Sequence, residues 1–174
     1  MNFKIGSKVF YPLHGAGWIR GEKEIEFDGE KKKYFEFELI TNLLSISTPV
    51  ENIGNLGIRN VLPAKEIKEK IALLKKTPTV NPKVRDFNVM LNTFKELEES
   101  SNIDDTIKII QYCNFVKKNR EKEGRLIPVS IEKQLESAIR NIVGELAVSS
   151  GTSLKTASKN FSSIAGIDVD VSKE

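Results

Sequence analysis

The sequence predicts an α+β protein, a small β-barrel at the N-terminal end followed by an all-α domain of about five helices. Three observations carry this prediction. The run Val9-Phe10-Tyr11-Pro12-Leu13-His14-Gly15-Ala16-Gly17-Trp18 sets two β-rich segments around a turn of Pro, His and two glycines. Gly15 and Gly17 can take positive φ at little steric cost, and Pro12 fixes φ and donates no amide. Up to about Leu62 apolar residues alternate with polar ones at strand period, whereas beyond Pro63 they recur at helical spacing.

The strands follow in order. Lys8–Tyr11 is short and rich in Val and aromatics. Trp18–Phe27 sets Ile19, Ile25 and Phe27 against Arg20, Glu24 and Glu26. Asp28-Gly29 is a two-residue hairpin signal. Tyr34–Ile40 alternates again, with Phe35, Phe37 and Leu39 opposing Glu36 and Glu38. Leu44–Thr48 and Ile58–Leu62 complete five short strands, and closing them into a barrel removes exposed sheet edges. The helices come next. Ile67, Ile71 and Leu74 stripe the first, and Pro78 and Pro82 bracket a loop. Phe87, Leu91, Phe94 and Leu97 line the second. Ser100-Ser101-Asn102 breaks the chain and caps a third, whose apolar face is Ile103, Ile107, Ile110 and Cys113. Gly124 stops it. Ser130 to about Val148 forms a fourth on Ile131, Leu135, Ile139, Ile142 and Leu146, and Ser153–Ile164 a fifth on Leu154, Ala157 and Phe161. Asp168–Glu174 are expected to fray.

Composition bounds the function. The 174 residues suit one ordinary domain or two small ones. No apolar run approaches the ~20 residues that span a bilayer. The start, Met1-Asn2-Phe3-Lys4, lacks a signal-peptide core, and the single Cys113 fits a reducing cytoplasm, so a cytoplasmic protein is expected. Residues 1–62 hold 8 Lys and Arg against 8 Asp and Glu, while residues 63–174 hold 19 against 16. A polyanion would therefore meet the second half. Catalysis has no support: one Cys and one His make no zinc framework, and no nucleophile–base pair or phosphate loop is discernible. His14 reads as structural, Cys113 as a small buried hydrophobe, and Lys31-Lys32-Lys33 as a solvated hairpin tip. No enzyme activity, cofactor, metal or small-molecule substrate is expected.

Several motifs together resemble the CarD/CdnL family of bacterial transcription regulators. They are Phe3-x-x-Gly6 with Val9-x-Tyr11-Pro12-x-His14-Gly15, then Gly29-Glu30-x-Lys32-x-Tyr34, then Pro49-x-Glu51-Asn52 and Gly57-x-Arg59-x-Val61. Near the other end Ile142-Val143-Gly144-Glu145-Leu146-Ala147 resembles the family's C-terminal helix motif. The resemblance covers roughly residues 1–148. It implies an SH3/Tudor-like barrel, residues 1–62, that binds the β subunit of RNA polymerase. It also implies a helical domain, residues 63–174, that touches promoter DNA at the upstream edge of the bubble and stabilises the open complex. The barrel also resembles the polymerase-binding module of transcription-repair coupling factors.

Matched to the family pattern, the polymerase contacts fall at Ile25, Phe27 and Ser47. Relatives carry arginine at the positions of Ile25 and Ser47, so a contact here is more apolar; alternatively Ile25 and Phe27 fill the barrel. The family's minor-groove tryptophan is absent, since the only Trp is Trp18 in the barrel, and its position holds Arg85, with Phe87 two residues on. Lys83 and Arg85 can meet phosphates or a narrow minor groove and Phe87 can stack; the other reading makes Arg85 a solvated charge and Phe87 core. Lys117, Lys118, Arg120, Lys122 and Arg125 form a second basic stretch, suited either to phosphates or to the helix macrodipole, with Glu121 and Glu123 diluting it. A polymerase-binding adaptor whose helical domain meets another protein is the alternative function.

Overall fold

The computed structural model of the protein describes residues 3–27, 29–41, 45–76, 87–169 and 171, and only the backbone of Phe27, Phe87 and Asn88. Five antiparallel strands come first: β1 (Lys8–Tyr11), β2 (Gly15–Phe27), β3 (Glu30–Leu39), β4 (Ser45–Pro49) and β5 (Arg59–Asn60), in the order β4-β3-β2-β1-β5. Five helices follow: α1 (Ala64–Ala72), α2 (Phe87–Glu99), α3 (Ile103–Lys122), α4 (Val129–Ser150) and α5 (Leu154–Ala165). The expected α+β order of sheet and then helices is present.

Strand period builds the sheet's two faces. Val9, Tyr11, Ile19, Phe35, Phe37 and Leu39 point inward and form a core with Ile53 and Ile58. Phe10 and Ala16, of opposite parity, face outward and are buried against Val148 of α4. The sheet therefore buries both faces at β1 and at the start of β2. Farther along, Phe27 pairs with Glu30, so the β2–β3 connection is a two-residue turn as the Asp28-Gly29 signal predicts. Gly15 has φ +93 and a Cβ there would meet the Thr41 hydroxyl. Gly17 lacks the expected positive φ; it is needed because a Cβ would run into the Glu38 carbonyl. The barrel was expected to close, yet among the described residues no ladder joins β4 to β5. β5 has only two residues, and β4 ends at Pro49, which has no amide to donate.

The helical stripes are where the spacing puts them. Ile67, Ile71, Leu74, Phe94, Ile107, Ile110, Cys113, Leu135, Ile139, Ile142, Leu146 and Phe161 share one core. Asn102 caps α3, accepting from the Asp104 amide at 3.0 Å, and Ser153 caps α5 through the Thr156 amide at 3.2 Å. One expectation needs correction. Of Asp168–Glu174, expected to fray, Val169 and Val171 pack on the helical core, as does Ile167 just before them. The hydroxyl of Ser162 accepts from the Val169 amide and that of Ser158 from the Val171 amide. The loop bracketed by Pro78 and Pro82 lies outside the described residues.

Candidate functional site

Two features stand out, a seam between sheet and helices and a groove on the helical side. The seam is built on Arg59 of β5 and Glu145 of α4. Glu145 is 1% exposed. Its two carboxylate oxygens accept from the two terminal nitrogens of Arg59 at 2.5 and 2.9 Å, and one of them also accepts from the Leu62 amide at 2.9 Å. Arg59 donates further to the carbonyls of Ser101 at 2.7 Å and Asn60 at 3.1 Å, and its guanidinium lies 4.4 Å from the Phe10 ring centroid. Every charge is thus partnered, which a buried pair requires. Around it the Ser101 hydroxyl donates to the Gly57 carbonyl, Ser149 to the Leu62 carbonyl, and Lys8 to the Ser149 carbonyl. Gly144 completes the seam: a Cβ there would stand 2.8 Å from the Thr41 methyl. The helix motif Ile142–Ala147, read from the sequence as a family signature, is the surface on which the sheet rests.

The groove, of about 380 Å³, runs between the 3-10 turn Leu73–Lys75 and α3. One wall is Leu74, Lys75 and Lys76; the other is Gln111, Asn114, Phe115, Lys118, Asn119 and Lys122. Among the described residues no carboxylate lines it. None of its four lysines is in an ion pair among the described residues. Phe115 is 42% exposed. Gln111 is held by its amide, which donates to the Leu73 carbonyl at 3.1 Å.

The predicted basic stretch is therefore divided. Lys118 and Lys122 enter the groove, while Lys117 lines a different hollow with Glu136, Arg140 and Asp168. Arg120 donates to the Leu126 carbonyl, and Arg125 pairs with Glu123 at 3.2 Å. Lys83 and Arg85 lie outside the described residues, and Phe87 opens α2 with its side chain undescribed. Sequence reasoning missed Lys75, Lys76 and Phe115. The signal for Phe115 was its phase: Gln111, Asn114, Phe115, Lys118, Asn119 and Lys122 recur at helical spacing on a face distinct from the apolar stripe.

On the sheet, Ile25 pairs with Lys32 and Ser47 with Glu36. Lys32 and Glu36 have the parity opposite to the buried Phe35 and Phe37, so Ile25 and Ser47 share the outer face. Ile25 is 36% exposed, which removes the barrel-filling alternative for it; the Phe27 side chain is outside the description. Lys32 pairs with Glu51 at 3.1 Å and Lys33 with Glu22 at 3.2 Å across the hairpin. His14 is half-buried, its ring edge-on to Tyr11 with centroids 4.9 Å apart. Burial pushes the Cys113 thiol up to about 12, and a thiol so held is a poor nucleophile. Among the described residues no cluster of His, Cys, Asp and Glu could hold a metal ion, and no helix is long and apolar enough to cross a membrane.

The described residues thus form a small antiparallel sheet clamped to a helical bundle that carries a cationic groove. Residues 3–62 match the CarD-like/TRCF RID domain family. The chain is also 24% identical over 157 residues to a Bacillus subtilis (strain 168) protein named "Putative transcription factor YdeB", covering 88% of this chain and 95% of that one. The likeness is to a CarD-like/TRCF RID domain over the sheet and to a protein named as a putative transcription factor over most of the chain.

Proposed function

We propose that the protein is a bacterial transcription regulator that binds the polymerase β subunit through its sheet and promoter DNA through its helices, stabilising the open complex. The division falls near Leu62–Pro63, with residues 1–62 taking polymerase and residues 63–174 taking DNA at the upstream edge of the bubble. One observation carries the reading: the helices that bear a lysine groove, with no carboxylate among its described lining residues, are fixed by the Arg59–Glu145 ion pair to a sheet that matches a CarD-like/TRCF RID domain. The polymerase surface is the outer face bearing Ile25 and Ser47, with Phe27 beyond, next to the edge of β4. Strand addition at such an edge gives affinity through main-chain hydrogen bonds and specificity through alternate side chains. On the DNA side Lys118 and Lys122 act with Lys83, Arg85 and Phe87, and Lys117, Arg120 and Arg125 lie at the margin. The protein then works in the cytoplasm, on the nucleoid, wherever polymerase is bound.

Stabilising an open complex requires tighter binding to melted than to closed promoter. Little free affinity for DNA is needed, because docking on polymerase raises the local concentration of the helical unit. The test compares open-complex lifetimes at equal polymerase occupancy. Wild type should lengthen the lifetime, and Lys118→Ala/Lys122→Ala and Arg85→Ala should shorten it at least severalfold towards the value without the protein. The adaptor reading rests on Leu126, 92% exposed in the α3–α4 connection, and Val129, 64% exposed at the start of α4. It predicts that neither variant changes the lifetime, whereas Leu126→Ser removes a protein partner.

A further inference from the structure

We infer that the groove between the Leu73–Lys75 turn and α3 binds single-stranded DNA, with Phe115 as the platform on which an unstacked base lies. The inference deepens the promoter reading and rests on it. Four lysines, with no carboxylate among the described lining residues, make the groove a site for an anion. The amide side chains of Asn114 and Asn119 can donate to and accept from a base edge, and Phe115 offers an exposed aromatic face beside the charges. Aromatic platforms within cationic grooves are how proteins hold single strands without reading sequence.

Duplex DNA fits these groups less well. Its phosphates could reach the lysines, but its bases are stacked inside the helix and present no face to Phe115. The groove volume, about 380 Å³, suits a nucleotide-sized group and not the width of a duplex. Lys118 and Lys122 stand one turn apart on α3, roughly 6 Å along the axis. That exceeds the ~3.4 Å rise per nucleotide of a stacked strand, as an unstacked strand requires. Phe115 also falls outside the apolar stripe of α3, so core packing does not explain its ring. Affinity for a separated strand in preference to duplex is the differential binding that biases a promoter towards melting.

The test uses the full chain and fluorescence anisotropy with labelled dT12, a 12-base-pair duplex and rU12 at about 50 mM salt. The expected result is dT12 bound at least tenfold more tightly than duplex. Phe115→Ala and Phe115→Leu should each weaken dT12 by roughly tenfold, with the melting temperature held, while duplex binding stays within twofold. Lys118→Ala/Lys122→Ala should weaken both probes and flatten the dT12 salt slope by about 1.4. Duplex bound as tightly as dT12, or dT12 affinity unchanged in both Phe115 variants, overturns the inference, and rU12 bound more tightly than dT12 overturns the assignment to DNA. If wild type lengthens open-complex lifetime but ignores dT12, the groove assignment falls and the promoter reading stands. If dT12 binds as expected but the protein neither associates with polymerase nor changes lifetime, the promoter reading falls alone.

Discussion

At the scale of single residues, burial and charge pairing compete at the unusual groups, and which one wins differs from site to site. The Glu98 carboxyl is pushed up by burial, against a hydrogen bond from Ser137. A carboxyl raised in the folded state contributes stability that is full below its unfolded value and lost as pH rises through its folded value. Above that folded value it is an ionised group in a partly dry place. Glu98→Gln should raise the melting temperature there, and the gap should close as pH falls through that value; an equal gap throughout would point to packing instead. Asp105 has the opposite sign. Burial pushes its carboxyl up, but hydrogen bonds from Lys108 and Ser100 outweigh that and hold it below its ordinary value. Its contribution is lost as pH falls through that lowered value. Cys113 should resist a thiol reagent at pH 8 in the folded protein and react fully in denaturant, since burial suppresses both access and thiolate. Gly15 was legible as a residue needing positive φ because the turn signal is local. Gly15→Val should cost about 2 kcal/mol or more, lowering the melting temperature by roughly 4–8 °C. Gly17 was read for the wrong reason, because clearance over Glu38 belongs to the β2–β3 pairing and not to the local turn.

Elements were legible wherever one period dominates. α3 and α4 announce one stripe each, and Asn102 and Ser153 cap where the sequence places caps. What single-period reading hides is a second face. α4 is buried continuously from Asn141 to Val148, because one side packs on the helices and the other on β1 and β2. The same holds for β1, where Phe10 and Val9 serve two different cores. A charged Glu145 inside such a run is the trace that this leaves in the sequence: an acid in a doubly buried helix needs a cation from elsewhere in the fold, and Arg59 supplies it 86 residues away. Glu145→Ala leaves the partly buried Arg59 without its carboxylate. It should cost about 3–5 kcal/mol, read as a fall in the midpoint of urea unfolding with m little changed. The basic segment after Phe115 shows the converse. Read as a contiguous run it was one patch, but a helix distributes neighbours around its axis, so only Lys118 and Lys122 reach the groove.

At the scale of the whole molecule, the seam decides whether the two binding surfaces act as one. A flexible link would give the helical unit a raised local concentration near the promoter and no fixed aim. The Arg59–Glu145 pair, with Leu62 bound to the same carboxylate, fixes the connection itself, the segment between β5 and α1. Under the proposed function, docking of the sheet on polymerase would then set the direction in which the lysine groove points. This could not be read from the sequence, because Arg59 and Glu145 each look like ordinary charges until the fold brings them together. Glu145→Gln keeps the volume and weakens the clamp. Hydrogen exchange at the Leu62 amide should accelerate by at least tenfold, reporting a loosened connection. Association with core polymerase should stay unchanged, since the outer face bearing Ile25 and Ser47 is untouched. Open-complex lifetime should fall severalfold even so. An unchanged lifetime alongside accelerated exchange would mean that tethering alone suffices, and that the ion pair serves stability and not the aim of the helical unit.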